Sequence, residues 1–171
     1  MYSVGSDERL LEIEKIPACD IGAPLPSVVA TEHYTALCYI AKQPPPEGWH
    51  GQYTNLVSHD SPDSPVILVE FRICADTRFG WFPDENTCGN HPLSPKGLQP
   101  YSAYEVANSS WVKELARLEA GNRDRSLLSM HHYVLTFHDT TFECVADSFA
   151  VRTHMGSVQD ALANIVASLD E

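Results

Sequence analysis

Cationic side chains are scarce in this chain: Lys and Arg together number 11 against 23 Asp and Glu, a formal charge of −12 at pH 7. Affinity for nucleic acid comes largely from cations that displace counterions along the phosphates. The balance therefore argues against a nucleic-acid partner or an anionic membrane surface. It serves solubility first, and leaves open an acidic face that meets a basic protein partner.

Long apolar runs are also missing. No stretch approaches the roughly 18 apolar residues that a membrane-spanning helix needs, and MYSVGSDERLLEIEK at the N-terminus has neither the basic start nor the long apolar core of a signal peptide. The expectation is a cytoplasmic protein with no membrane partner. Five scattered cysteines (Cys19, Cys38, Cys74, Cys88, Cys144) include no CxxC pair, which reads as free thiols in a reducing compartment. G-x-S-x-G, the P-loop, G-x-G-x-x-G and HExxH are all absent. Serine-hydrolase, nucleotide and zinc-protease chemistry thus have no positive support, and no metal or cofactor is expected. No internal repeat breaks up the 171 residues, a length suited to a single domain over 1–171.

With 43% hydrophobic and 20% charged residues the chain has the composition of a folded globule. Asp7–Lys15 suggests a short helix capped by Ser6. Val28–Ala41 reads as one strand with both faces covered, and Gln52–Ser58 as a second. Val66–Cys74 alternates cleanly, with Ile67, Val69, Phe71 and Ile73 on one face and Glu70 and Arg72 on the other. Residues 79–100 carry prolines, glycines and no period. Trp81, Phe82 and Leu93 within them favour an ordered loop packed over the sheet. A strand at Tyr101–Val106 precedes a helix capped by Asn108, Ser109 or Ser110, with Trp111, Leu115 and Leu118 as its apolar stripe. The last helix starts at Ser157 in a sequence resembling a capping box, and its stripe is Val158, Leu162, Ile165, Val166 and Leu169. The fold class is α+β, a mainly antiparallel sheet of five to seven strands with two or three helices packed on one face.

The densest pattern is His131–Ala146, HHYVLTFHDTTFECVA, read as a hairpin turning at Asp139-Thr140 and holding three of the eight histidines. In that register His138 faces Thr141, Thr136 faces Glu143, Val134 faces Val145 and His132 faces Asp147. Leu135, Phe137, Phe142 and Cys144 form the apolar side; His132, Thr136, His138 and Glu143 mark the polar one. His138 and Glu143 become diagonal neighbours, a carboxylate orienting an imidazole as acid–base chemistry near neutral pH requires. They are the candidate catalytic pair, although a solvated sheet face explains the same residues. Asp84, Glu85, His91, Trp81 and Tyr101 would complete a small-molecule site between the hairpin and the 79–100 loop. Cys144 falls on the apolar side, away from that chemistry. Cys88, three residues from His91, is a weaker nucleophile candidate. The functional expectation is a small enzyme or small-molecule-binding protein; the alternative is a non-catalytic acidic interaction module.

Overall fold

The computed structural model describes residues 3–32, 34–45, 47–48, 50–51, 57–80, 90–119 and 127–170. Seven strands join one antiparallel sheet: β1 (Arg9–Glu12), β2 (Ser27–Ala30), β3 (Tyr34–Ile40), β4 (Ser64–Gly80), β5 (Ala103–Ala107), β6 (His131–Thr136) and β7 (Thr141–Gly156), in the spatial order β1-β5-β6-β7-β4-β3-β2. Two α-helices, α1 (Ser110–Leu118) and α2 (Val158–Ala167), and three single-turn 3-10 helices accompany the sheet among the described residues. Neither helix is long and apolar enough to cross a membrane. The α+β class, the strand number and the placement of the helices agree with the sequence pattern.

The central pair is β4 and β7, in register from Ser64↔Gly156 to Gly80↔Thr141. Midway, the ladder shifts between Cys74 and Asp76, and Ile73 sits at φ 50°. An extra residue in one strand bends it and increases its twist. Alternation breaks at Ile73, which is 42% exposed rather than beside Phe71, and Cys74 takes the side that Ile67, Val69 and Phe71 hold before it. The bending curls the sheet. Three inter-strand intervals separate β6 from β3, roughly 14 Å in a flat sheet, yet the rings of Tyr39 on β3 and Phe137 just past β6 lie 5.2 Å apart, and those of Phe71 and Tyr133, two intervals apart on β4 and β6, lie 5.6 Å apart. This concave side is the main core, with Leu37, Tyr39, Ile67, Val69, Phe71, Tyr133, Leu135, Phe142 and Cys144 all buried.

The segment after β1 closes the concave side. It leaves β5 at Ile13, whose N–H bonds the Ala103 carbonyl at 2.9 Å, and reaches β3's end, where Cys19 bridges Ala41. Ile16 and Cys19 point into the core on the way. On the convex side α2 covers Ala36, Cys38, Val66 and Leu68 with Val158, Ala161 and Ile165. Trp111 and Val112 of α1 cover Val145, and Leu93 and Leu98 seal Tyr104, Val106 and Val134. Both helices therefore sit on the same face.

Several boundaries differ from the sequence expectation. The N-terminal helix is instead the edge strand β1: nine residues are short for an isolated helix, and pairing of Arg9–Glu12 with β5 satisfies the backbone while Leu10 joins a buried cluster. Val28–Ala41 is a hairpin rather than one strand, because Thr31 turns the chain by accepting the Tyr34 N–H on its hydroxyl. β7 runs ten residues past Ala146; its second half packs Phe149 and Val151 on the core, while Arg152 and Thr153 are exposed. Val166, Leu169 and Leu118 stand at 54%, 38% and 65% exposure, outside the stripes assigned to them. Most of the proposed Gln52–Ser58 strand lies outside the described residues.

Candidate functional site

The hairpin turns one residue earlier than the pattern suggests. Phe137 N–H bonds the Thr140 carbonyl at 2.9 Å, so His138-Asp139 is the turn, and Thr136 pairs with Thr141, Val134 with Glu143 and His132 with Val145. The register moves by two, which leaves His132, Thr136 and Glu143 on their expected face with new partners and moves His138 off the strand into the turn. Glu143 becomes the diagonal neighbour of His132, not of His138. The expected His138–Glu143 pair does not form: a side chain at the hairpin tip cannot reach a carboxylate that two other histidines hold.

Those two histidines come from different elements. His91, in the segment between β4 and β5, places Nε2 3.2 Å from Glu143 Oε1; His132, on β6, places Nε2 3.1 Å from Glu143 Oε2. Donor roles follow from the outer contacts. The Leu93 N–H can only donate, and it donates to His91 Nδ1 at 3.1 Å, so the His91 proton is on Nε2 and points at Glu143. Ser109 caps α1 by accepting the Val112 N–H at 3.3 Å, and its hydroxyl is 2.9 Å from His132 Nδ1. A carboxylate oxygen can only accept, so in a neutral His132 the proton sits on Nε2 facing Glu143, and Nδ1 accepts from the Ser109 hydroxyl. Glu143 accepts on both oxygens, as an ionised carboxylate does.

This His91–Glu143–His132–Ser109 chain is sealed. Exposure is 2% at His91, 0% at His132, 6% at Glu143 and 4% at Ser109. Trp111 meets His132 edge-on at 5.0 Å, while the Arg78 guanidinium lies 4.1 Å from the Trp111 ring centre, on the residue paired with Glu143 across the β4–β7 ladder. The Glu8 carboxylate accepts the Ser110 N–H at the start of α1, where the helix dipole favours negative charge. The result ties β1, α1, the 90–98 segment and the hairpin together. All four ring nitrogens are engaged, so neither imidazole offers a lone pair to a substrate. No group of three or more His, Cys, Asp or Glu among the described residues is arranged to hold a metal ion.

His138 lies on the other side of the sheet from this brace, with Tyr101. The Tyr101 hydroxyl is 2.7 Å from His138 Nδ1, and the rings stack at 6.2 Å. The outer nitrogen, Nε2, is 3.9 Å from Asp139 Oδ1, and the imidazole is 37% exposed. Tyr101 sits at φ 56°, a conformation that non-glycine residues hold only when surroundings impose it. Here Thr136 imposes it, accepting the Ser102 N–H at 3.0 Å and donating to the Gln99 carbonyl at 2.8 Å.

Beside this pair a cavity of about 270 Å³ opens between the 13–19 segment, β5 and the end of β6, lined by Tyr101, Ser102, Thr136, Phe137, Tyr39 and Glu12 among others. Of the residues marked in the sequence, then, the structure joins His91 to Glu143 on the convex side and Tyr101 to His138 near the concave cavity. Trp81, Asp84, Glu85 and Cys88 lie outside the described residues. His132 and Ser109 were not marked as partners, and only the correct register reveals them. The chain matches no protein-family model, and no curated protein or solved structure is significantly similar to it.

Proposed function

We propose that the protein binds a small amphiphilic molecule carrying a positive charge or hydrogen-bond donors, in the cavity beside Tyr101 and His138. The observation that carries this reading is the Tyr101–His138 hydrogen bond of 2.7 Å, held beside the cavity by a strained backbone. Strain of that kind costs about 1–3 kcal/mol and collects at ligand sites. The cavity is near the lower end of the usual small-molecule range, roughly 300–1,000 Å³, and mixes apolar walls with a few polar groups as such sites do. Ile13, Ile16, Tyr39, Leu135 and Phe137 supply the walls. Glu12 and Glu14 are in the lining, which has no cationic side chain among the described residues. An amine is thus favoured over a carboxylate.

The half-exposed His138 imidazole, hydrogen-bonded to the Tyr101 hydroxyl, puts a group suited to acid–base chemistry at the same site. The buried brace on the convex side shares the hairpin register with this pair. Thermal-shift titrations with phenethylamine, phenethyl alcohol and phenylacetate test the reading. Saturable stabilisation by the amine is expected, weaker with the alcohol, absent with the carboxylate, and reduced in the Glu12→Gln/Glu14→Gln variant. Equal or stronger stabilisation by phenylacetate, or no stabilisation by any of the three, would overturn it.

A further inference from the structure

Two thiols lie beside the bend in the central ladder. Cys74 pairs with Ala146 and Thr77 with Cys144, so Cys74 and Cys144 face the same concave core on either side of Thr77. Cys74 Sγ is also 3.1 Å from Thr77 Oγ1 and 3.4 Å from the Asp76 carbonyl oxygen, and Thr77 is 3.4 Å from Thr35. Access differs sharply between the described cysteines. Cys19, Cys38 and Cys144 are at most 4% exposed, whereas Cys74 is half-buried and reachable from solvent.

We propose that Cys74 is a site of oxidation by small hydroperoxides and that Cys144 is its resolving thiol. The Cys74 thiolate attacks the distal oxygen of the hydroperoxide; the S–O bond forms, the O–O bond breaks, and the alcohol or water leaves with a proton. Cys144 sulfur then attacks Cys74 sulfur, the S–S bond forms, the S–O bond breaks, and hydroxide departs as water with the Cys144 proton. Two thiols and one hydroperoxide thus give one disulfide, one alcohol (or water) and one water. The local chemistry suits the two roles. Hydrogen bonds from Cys144, Thr77 and Thr35 outweigh burial and hold the Cys74 thiol at about 6, against an ordinary 9.0. Burial pushes Cys144 well above that value, so it stays a proton donor until the sulfenic acid forms beside it. Burial also pushes Cys19 up to about 12 and Cys38 to about 11, which leaves both unreactive.

The experiment uses the full chain with Cys88→Ser, treated with one equivalent of tert-butyl hydroperoxide and mapped as non-reduced peptides by mass spectrometry. A Cys74–Cys144 disulfide as the main product is expected. In the Cys144→Ala background dimedone should label Cys74 at least about tenfold more than Cys19 or Cys38. Should Cys144→Ala fail to fold, Cys74→Ala serves instead and is expected to abolish oxidation of Cys144. Oxidation spread evenly over the thiols, a different disulfide, or an oxidised Cys144 in the Cys74→Ala chain would overturn the proposal.

Discussion

Glu143→Ala removes the acceptor that two buried histidines share, and its cost can be worked from the geometry. His91 and His132 each donate Nε2–H to Glu143, at 3.2 and 3.1 Å, and both are sealed from water. A buried donor deprived of its acceptor costs about 1–3 kcal/mol, so two cost about 2–6 kcal/mol. A chain of this size loses roughly 2–4 °C of Tm per kcal/mol, which predicts a fall of roughly 5–20 °C. Glu143→Gln behaves differently. Its carbonyl takes the His91 proton, because the Leu93 N–H fixes that tautomer. Its amide NH₂ then faces His132 Nε2, and His132 adapts by moving its proton to Nδ1 and donating to Ser109. The cost is only the difference between charged and neutral hydrogen bonds, about 1–2 kcal/mol. Urea unfolding followed by tryptophan fluorescence, with the slope compared between variants, measures both. If Glu143→Ala falls within about 1 kcal/mol of the parent, or if Glu143→Gln is equally harmful, the donor assignment is wrong.

Further perturbations probe other parts of the fold. Ser157→Ala deletes the acceptor of the Asp160 N–H at 2.9 Å and half of a capping box; about 1 kcal/mol should be lost in urea unfolding. Gly156→Ala forces a side chain into φ 155°, with the new Cβ 2.7 Å from His154 Nε2, and should cost about 1–2 kcal/mol by the same measurement. Iodoacetamide alkylation of Cys74 in the Cys88→Ser chain should rise through pH 6 and level off by neutral pH, while Cys19 and Cys38 stay unreacted there. The folded value is depressed below 9.0, so the associated stabilisation is complete above pH 9 and is lost as pH falls through about 6. A Cys74 rate that climbs only near pH 9 would contradict the thiol environment described.

Alternation and capping, both short-range signals, carried most of the fold. Ile67, Val69 and Phe71 specify the concave face of β4, Ser157 announces α2, and the Phe137–Phe142–Cys144 side of the hairpin does lie in the core. Parity also put His132 and Glu143 on one face. What parity does not contain is the register, because a slip of two residues leaves the faces unchanged. The observed register, with the Phe137 N–H on the Thr140 carbonyl, brings Glu143 to His132 and leaves His138 for Tyr101.

Amino-acid order alone therefore determined the class of fold and the sidedness of most strand residues, since these depend on neighbours along the chain. Tertiary structure decided everything that joins distant residues. His91 reaches Glu143 across 52 positions, Tyr101 reaches His138 across 37, and Cys74 shares a core with Cys144 only through the pairing of β4 with β7. The physical reason is the same in each case: curvature and register are set by the whole sheet closing on its core, and no local pattern encodes them.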